Sequence, residues 1–286
     1  MRRNRIIVRA LIGATVVAAG TATFAPAAWA ISIPVACSEN ALVAAVNLAN
    51  STAASDTLVL ASGCTYGMTS SHGSLANGQS ALPVITTPIE MIGPATITRV
   101  SLLPFRIAEV STKGRLTLTT SVALTNGSAV GSGGAILNFG AVTLTGSSLS
   151  GNFATFNGGG LANADTPSGN APAATFTNSP VTNNTALLSG GGIFNGLRGT
   201  LTATGVSGSP LFIKGNTSSM QGGGIAAIDS IATTLTQVAV TSNNAVLAAG
   251  GVYRQAGTMT TTNSPISANT VNNCVGSAPA VPNCTG

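Results

Sequence analysis

Five glycine clusters restrict what this chain can fold into. They read Gly133-Gly134-Ala135-Ile136, Gly158-Gly159-Gly160-Leu161, Gly190-Gly191-Gly192-Ile193, Gly222-Gly223-Gly224-Ile225 and Gly250-Gly251-Val252. Each ends on a branched aliphatic residue. Taking Ala135, Gly160, Gly192, Gly224 and Gly251 as one landmark, the spacings are 25, 32, 32 and 27 residues. Asn152, Asn184, Asn216 and Asn244 precede the landmark by eight, eight, eight and seven residues. Two features held at a near-constant offset over four units form a repeat, and periods in this range indicate a solenoid.

Each repeat holds three short extended pieces in which apolar residues alternate with Thr. In one unit these are residues 174–177, 180–182 and 192–195; in the next, 201–203, 206–207 and 225–227; then 235–236, 238–240 and 252–253. Three strands per turn describe a three-faced coil whose turns pair in parallel, ~4.8 Å apart. Ile136, Leu161, Ile193, Ile225 and Val252 then form one inward aliphatic column. Phe194 and Tyr253 are expected to point outward next to each other. Units of 32 residues carry loop insertions, residues 166–173 being one.

The ends of the chain differ from the repeats. Residues 1–30 have a basic start (Arg2, Arg3, Arg5, Arg9), an apolar run and an Ala28-Trp29-Ala30 site, the pattern of a secretory signal peptide. The whole chain carries +5. Without the signal, seven Lys and Arg against six Asp and Glu leave +1. A near-neutral surface lacks the basic face that nucleic acid requires, and no stable membrane insertion is expected after cleavage. At 44% apolar residues the chain can bury a core, so disorder is excluded. Ser38 begins an amphipathic helix over residues 38–50, with Glu39 in its first turn and Leu42, Val43, Val46 and Ala49 on one face. Open solenoid ends need covering, so residues 31–62, this helix plus a first strand at 56–60, are read as an N-terminal cap. Residues 63–273 are the β-helix, and 274–286 a C-terminal tail. Residues 67–81, including His72, are expected to be a loop.

Four cysteines allow three pairings. The local choice is Cys37–Cys64 and Cys274–Cys284, one pair at each end of the array. Zinc is the alternative, but there is no Cys-x-x-Cys and His72 is isolated. No metal or other cofactor is expected.

These residues resemble known families. Gly133-Gly134-Ala135-Ile136 is similar to the repeat of chlamydial polymorphic outer-membrane proteins, whose Phe-x-x-Asn element is not regular here. The closer resemblance is to secreted actinobacterial parallel β-helix repeat proteins. Cys37-Ser38 with Ala41-Leu42 resembles their Cys-Ser-Leu-Arg-Glu-Ala-Ile lid, without the Leu-Arg-Glu part. Residues 56–60 to 64–66, 81–86, 95–99 and 269–274 also resemble that group. The resemblance covers most of the mature chain and implies an all-β fold of the pectin-lyase-like superfamily: a right-handed, single-stranded parallel β-helix with a short N-terminal capping α-helix. It implies little about function, since this fold hosts lyases, hydrolases and adhesins.

The chemistry those enzymes need is sparse in the sequence. A lyase requires a carboxylate cradle for calcium and a basic residue; a polygalacturonase-like hydrolase requires paired aspartates. The three Asp residues are singletons, and no Gly-x-Ser-x-Gly is present. No catalytic residue is assigned. Asp165, Arg198, Asp229 and Arg254 follow the landmark by five, six, five and three residues. That places them near one edge with alternating sign, either as an exposed ion ladder or as a binding stripe. Asn152, Asn184, Asn216 and Asn244 are read as a structural ladder of stacked amides, with glycosylation the alternative at Asn50, Asn126 and Asn216. The expected function is a secreted, non-catalytic binding or structural module, adhesin-like, with a polysaccharide or cell-surface glycan as partner. A carbohydrate-active enzyme with a reduced site is the other reading. Oligomeric state is not encoded in any feature found.

Overall fold

Alternation of large apolar residues with Thr, Ser and Ala gives short strands one buried and one wet face. In the computed structural model, which describes residues 29–73, 76–164, 170–206 and 208–286, these strands wind into a parallel β-helix. Its four stacked ladders are called here sheets I to IV, in the order the chain meets them within a coil. One coil passes through Arg115–Thr119 in sheet I, Val122–Thr125 in II, Ser128–Ala129 in III and Ile136–Asn138 in IV. Sheet I has nine strands, II eight, III five and IV six, and every pairing between named strands is parallel. The three extended pieces read from the sequence fall in sheets I, II and IV. The two-residue ladder of sheet III is an addition at the corner before the glycines.

Three details of that reading change. In the coil after Gly199, the sheet II strand is Leu211–Lys214 rather than residues 206–207. Val206 instead bridges Ser209 in a small excursion, because Gly205 to Pro210 is an insertion. Phe194 and Tyr253 are not neighbours, since Ala226 lies between them in the sheet IV register. The chain also begins pairing earlier than expected, Ser32–Val35 lying along Asp56–Leu60.

The core is a set of in-register columns. Ile136, Leu161, Ile193, Ile225 and Val252 are all fully buried and directly opposed. In sheet I the column is Leu58, Met91, Leu118, Leu144, Phe176, Ala203 and Leu235. Phe176 stands against Ala203, a large residue beside a small one, which keeps the interior filled. The glycine clusters are the tightest corner. Gly133, Gly158, Gly190 and Gly222 have positive φ, and a Cβ on Gly134 would lie 2.2 Å from the carbonyl oxygen of Gly159 in the next coil. Only glycine permits that approach.

Helix α1 spans Glu39–Asn50, with the Ser38 hydroxyl accepting from the Ala41 N–H at its N-cap. Leu42, Ala45, Val46 and Ala49 are buried against the first coils. Cys37–Cys64 ties it there, and Cys274–Cys284 closes the tail, as the local pairing predicts. The opposite end of sheet I is met by that tail, the Asn283 side chain donating to the Thr261 carbonyl at 2.8 Å.

Inside the corner between sheets II and III runs an amide ladder. The Asn184 Oδ1 accepts from both the backbone N–H and the Nδ2 of Asn152, at 3.0 and 2.9 Å. Asn216 does the same for Asn184, Asn243 for Asn216, and Asn269 for Asn243. The second Nδ2 hydrogen of each of these donors is taken by a sheet II carbonyl one coil back, as Asn216 donates to Val181. The ladder starts at the Gly127 N–H and ends on Asn273, whose side chain holds the carbonyls of Thr285 and Gly286. Asn244 is corrected: it is exposed, in the sheet III strand Asn244–Ala245, and Asn243 occupies the ladder. Asn243 keeps the eight-residue offset from Gly251. Asn216 is fully buried in the ladder, which removes it as a glycosylation acceptor.

Replacing Asn243 strands the two Asn216 donors, each unsatisfied buried group costing ~1–3 kcal/mol. Asn243→Ala is therefore expected to lower unfolding stability by about 3 kcal/mol. Asn244→Ala should change it by less than ~0.5 kcal/mol. Urea unfolding of both variants with disulfides intact checks this, and equal losses would contradict the register.

Candidate threonine interface

Outward positions of sheet I carry a repeated Thr-x-Thr. The pairs are Thr117 and Thr119, Thr143 and Thr145, Thr175 and Thr177, Thr202 and Thr204, Thr234 and Thr236, and Thr260 and Thr262. Residue pairing is continuous in both columns: Thr117 opposes Thr143, then Thr175, Thr202, Thr234 and Thr260. The second column runs in the same register from Thr119 to Thr262. None of the twelve is buried, while the residue between each pair points into the core.

Rows follow each other at the interstrand spacing of ~4.8 Å, and columns stand two residues, ~6.6 Å, apart. The array is therefore a lattice of six rows by two columns. A third outward column beside it is small over five rows: Ala141, Ala173, Thr200, Ala232 and Thr258. Among the described residues, only the Thr119 hydroxyl of the twelve in the array makes a hydrogen bond to the protein, with Glu90. The other eleven have no hydrogen-bond partner among the described residues. Neither column contains a charged side chain. Charge borders the first row, where Glu90 opposes Thr117 and Arg115 precedes it in its strand. A hollow of about 380 Å³ opens there, lined in part by Pro88, Lys113, Arg115 and Asn170.

The charged stripe expected from the sequence is only partly assembled. Asp165 lies outside the described residues. Arg198 and Asp229 do stack through their backbones, the Arg198 N–H donating to the Asp229 carbonyl. Arg254 leaves the stripe: it opposes Ala227, and its guanidinium donates to the carbonyls of Ala280 and Gly257. Its role is to hold the C-terminal tail. Asp229 and Arg254 form no ion pair with each other.

Two clusters that the sequence did not reveal fix loops rather than build a reactive centre. The Glu39 carboxylate accepts from the backbone and hydroxyl groups of Thr69 and Ser70, and contacts His72 Nε2 at 3.0 Å. Ser70 Oγ meets the same Nε2 at 3.2 Å. A catalytic triad needs the imidazole to face its acid and its nucleophile through different nitrogens, so this cluster is a clamp between α1 and the loop. Elsewhere Arg106, fully buried, donates to the carbonyls of Asn77, Gly78 and Ser132 and lies 3.5 Å from Glu109. Burial lowers the Arg106 pKa and the Glu109 charge opposes that shift. A second amide ladder, Asn138 to Asn163 to Asn195, was also present in the sequence, as an Asn two residues after the aliphatic of each of three clusters. Among the described residues no three His, Cys, Asp or Glu side chains gather to hold a metal ion, and no helix is long and apolar enough to cross a membrane.

No protein-family profile, curated protein or solved structure matches this chain.

Desolvation pushes the Glu39 carboxyl upward, but the hydrogen bonds from Thr69, His72 and Ser70 outweigh it and hold its pKa at about 2, against 4.5 ordinarily. The group is depressed, so its contribution to stability is complete above pH 4.5, falls as pH drops, and is gone below about 2. Glu39→Gln should be less stable than the parent at neutral pH, and the gap should close between those two values. Melting temperatures of both proteins across that range check this. A gap independent of pH would contradict the clamp.

Proposed function

We propose that this chain is a secreted, non-catalytic β-helix of the pectin-lyase-like superfamily that serves as an extracellular binding module. The observation that carries the reading is the threonine array. A lattice of uncharged hydroxyls in fixed register is a surface for contact, since among the described residues only Glu90 engages one of those groups, that of Thr119. Its two-dimensional period suits a partner that is itself repetitive, such as an insoluble polysaccharide or a cell-surface glycan. Multiple weak hydroxyl contacts on one rigid face add without the cost of ordering loops. The basic, apolar and small-residue start of the chain supports export, and two disulfides suit an oxidising exterior.

The test is co-sedimentation of the purified protein with insoluble polysaccharides and with isolated cell walls. The parent should pellet with at least one of them and release no sugar. The double variant Thr202→Tyr and Thr204→Tyr changes the centre of the array while retaining β-propensity. It should stay folded and lose roughly tenfold in affinity, the factor that ~1.4 kcal/mol represents. Sugar release from any of these substrates would instead support the enzyme reading.

A further inference from the structure

The period of the threonine array matches another repetitive surface. In a tetrahedral water network with O···O bonds of about 2.75 Å, second-neighbour oxygens lie about 4.5 Å apart. The repeat perpendicular to its puckered layers is eight-thirds of that bond, about 7.3 Å. The array presents hydroxyls at ~4.8 Å along the stack and ~6.6 Å across it. Each dimension differs from the ice repeat by less than 1 Å, and the mismatch along the stack accumulates to about 1.5 Å over six rows. That is well under half a water diameter per two rows, so adjacent rows can hold water oxygens near lattice positions.

Three further observations bear on ice. The two columns contain no charge, and a charged side chain would keep a hydration shell that does not fit a crystal of water. Eleven of the twelve hydroxyls have no partner among the described residues, so each can bond water in the position that the lattice sets. The register is held from behind by the buried column Leu118, Leu144, Phe176, Ala203 and Leu235, so the hydroxyl spacing is fixed before any ligand arrives. Each Thr methyl also presents apolar surface between the hydroxyls, which favours an ordered water layer over protein hydrogen bonds made at random.

We propose that the threonine array of sheet I binds the surface of ice, with ordered water as its ligand. This rests on the reading of the array as a contact face and is independent of any glycan. The full-length secreted protein, mixed with a protein that lacks affinity for ice, is subjected to slow growth of an ice hemisphere on a cold finger. The chain should be taken into the ice roughly tenfold more than the companion protein, and should slow recrystallisation in a frozen film. The double variant Thr202→Tyr and Thr204→Tyr should fall to the companion's level. Thr241→Tyr, on the outward side of sheet II, should behave as the parent; circular dichroism confirms that both variants keep the fold. Exclusion of the parent from ice to the same degree as the companion overturns the inference. If the parent is excluded from ice but binds polysaccharide through the same two threonines, only the ice assignment falls. If it binds neither, the array is not a contact face and both readings fall.

Discussion

Register between coils is the constraint on which the rest of this structure depends. A strand of two to five residues has no stability alone, and sheets I to IV are built of such strands. What fixes them is repetition of one geometry, and the buried Asn ladder enforces it at one corner. An amide has two acceptor sites and two donor hydrogens. In Asn184 and Asn216 all four are used, three toward the preceding coil and one toward the next. A shift of one residue in any coil would leave several of these groups buried and unpaired. The ladder therefore penalises slippage much more than it rewards stacking, which is the usual asymmetry of buried hydrogen bonds.

The same register produces the surface. Because inward side chains in sheet I are locked as columns, the outward residues are locked too, and a Thr on either side of each becomes a lattice point. The low charge of the chain follows from this arrangement. Like charges directly opposite one another in a parallel stack repel, so a long stack is easiest to build from neutral side chains. Threonine adds a β-branched stem that favours the strand and a hydroxyl left over for a partner. Charged residues are instead placed where they tie down ends and insertions: Glu39 on the loop after the first coil, Arg106 under the segment at 76–80, Arg254 on the tail.

Much of the architecture was legible in the sequence. The glycine clusters marked corners because no other residue fits the approach of Gly134 to Gly159. Ser38 and Glu39 marked the start of α1, and the cysteine spacing marked both ends. Errors arose where two neighbouring residues could serve the same role. Asn243 and Asn244 are chemically identical, and the ladder position goes to Asn243 by its eight-residue offset from Gly251 and by Ser242 in the left-handed conformation before it. Between Gly199 and Asn216 an insertion offered two apolar pairs, and the later one pairs because it continues the Val181 column. The array was missed for another reason. Each Thr-x-Thr is an ordinary strand when seen alone, and its lattice exists only once the offsets between coils are known.

The most direct measurement of the central claim is a high-resolution crystal structure showing the water over sheet I. The account predicts a file of ordered waters in the trough between the two threonine columns, one per row, each bonded to hydroxyls and repeating with the strands. Disordered solvent over that face, or threonine hydroxyls turned back to bond the protein, would contradict it.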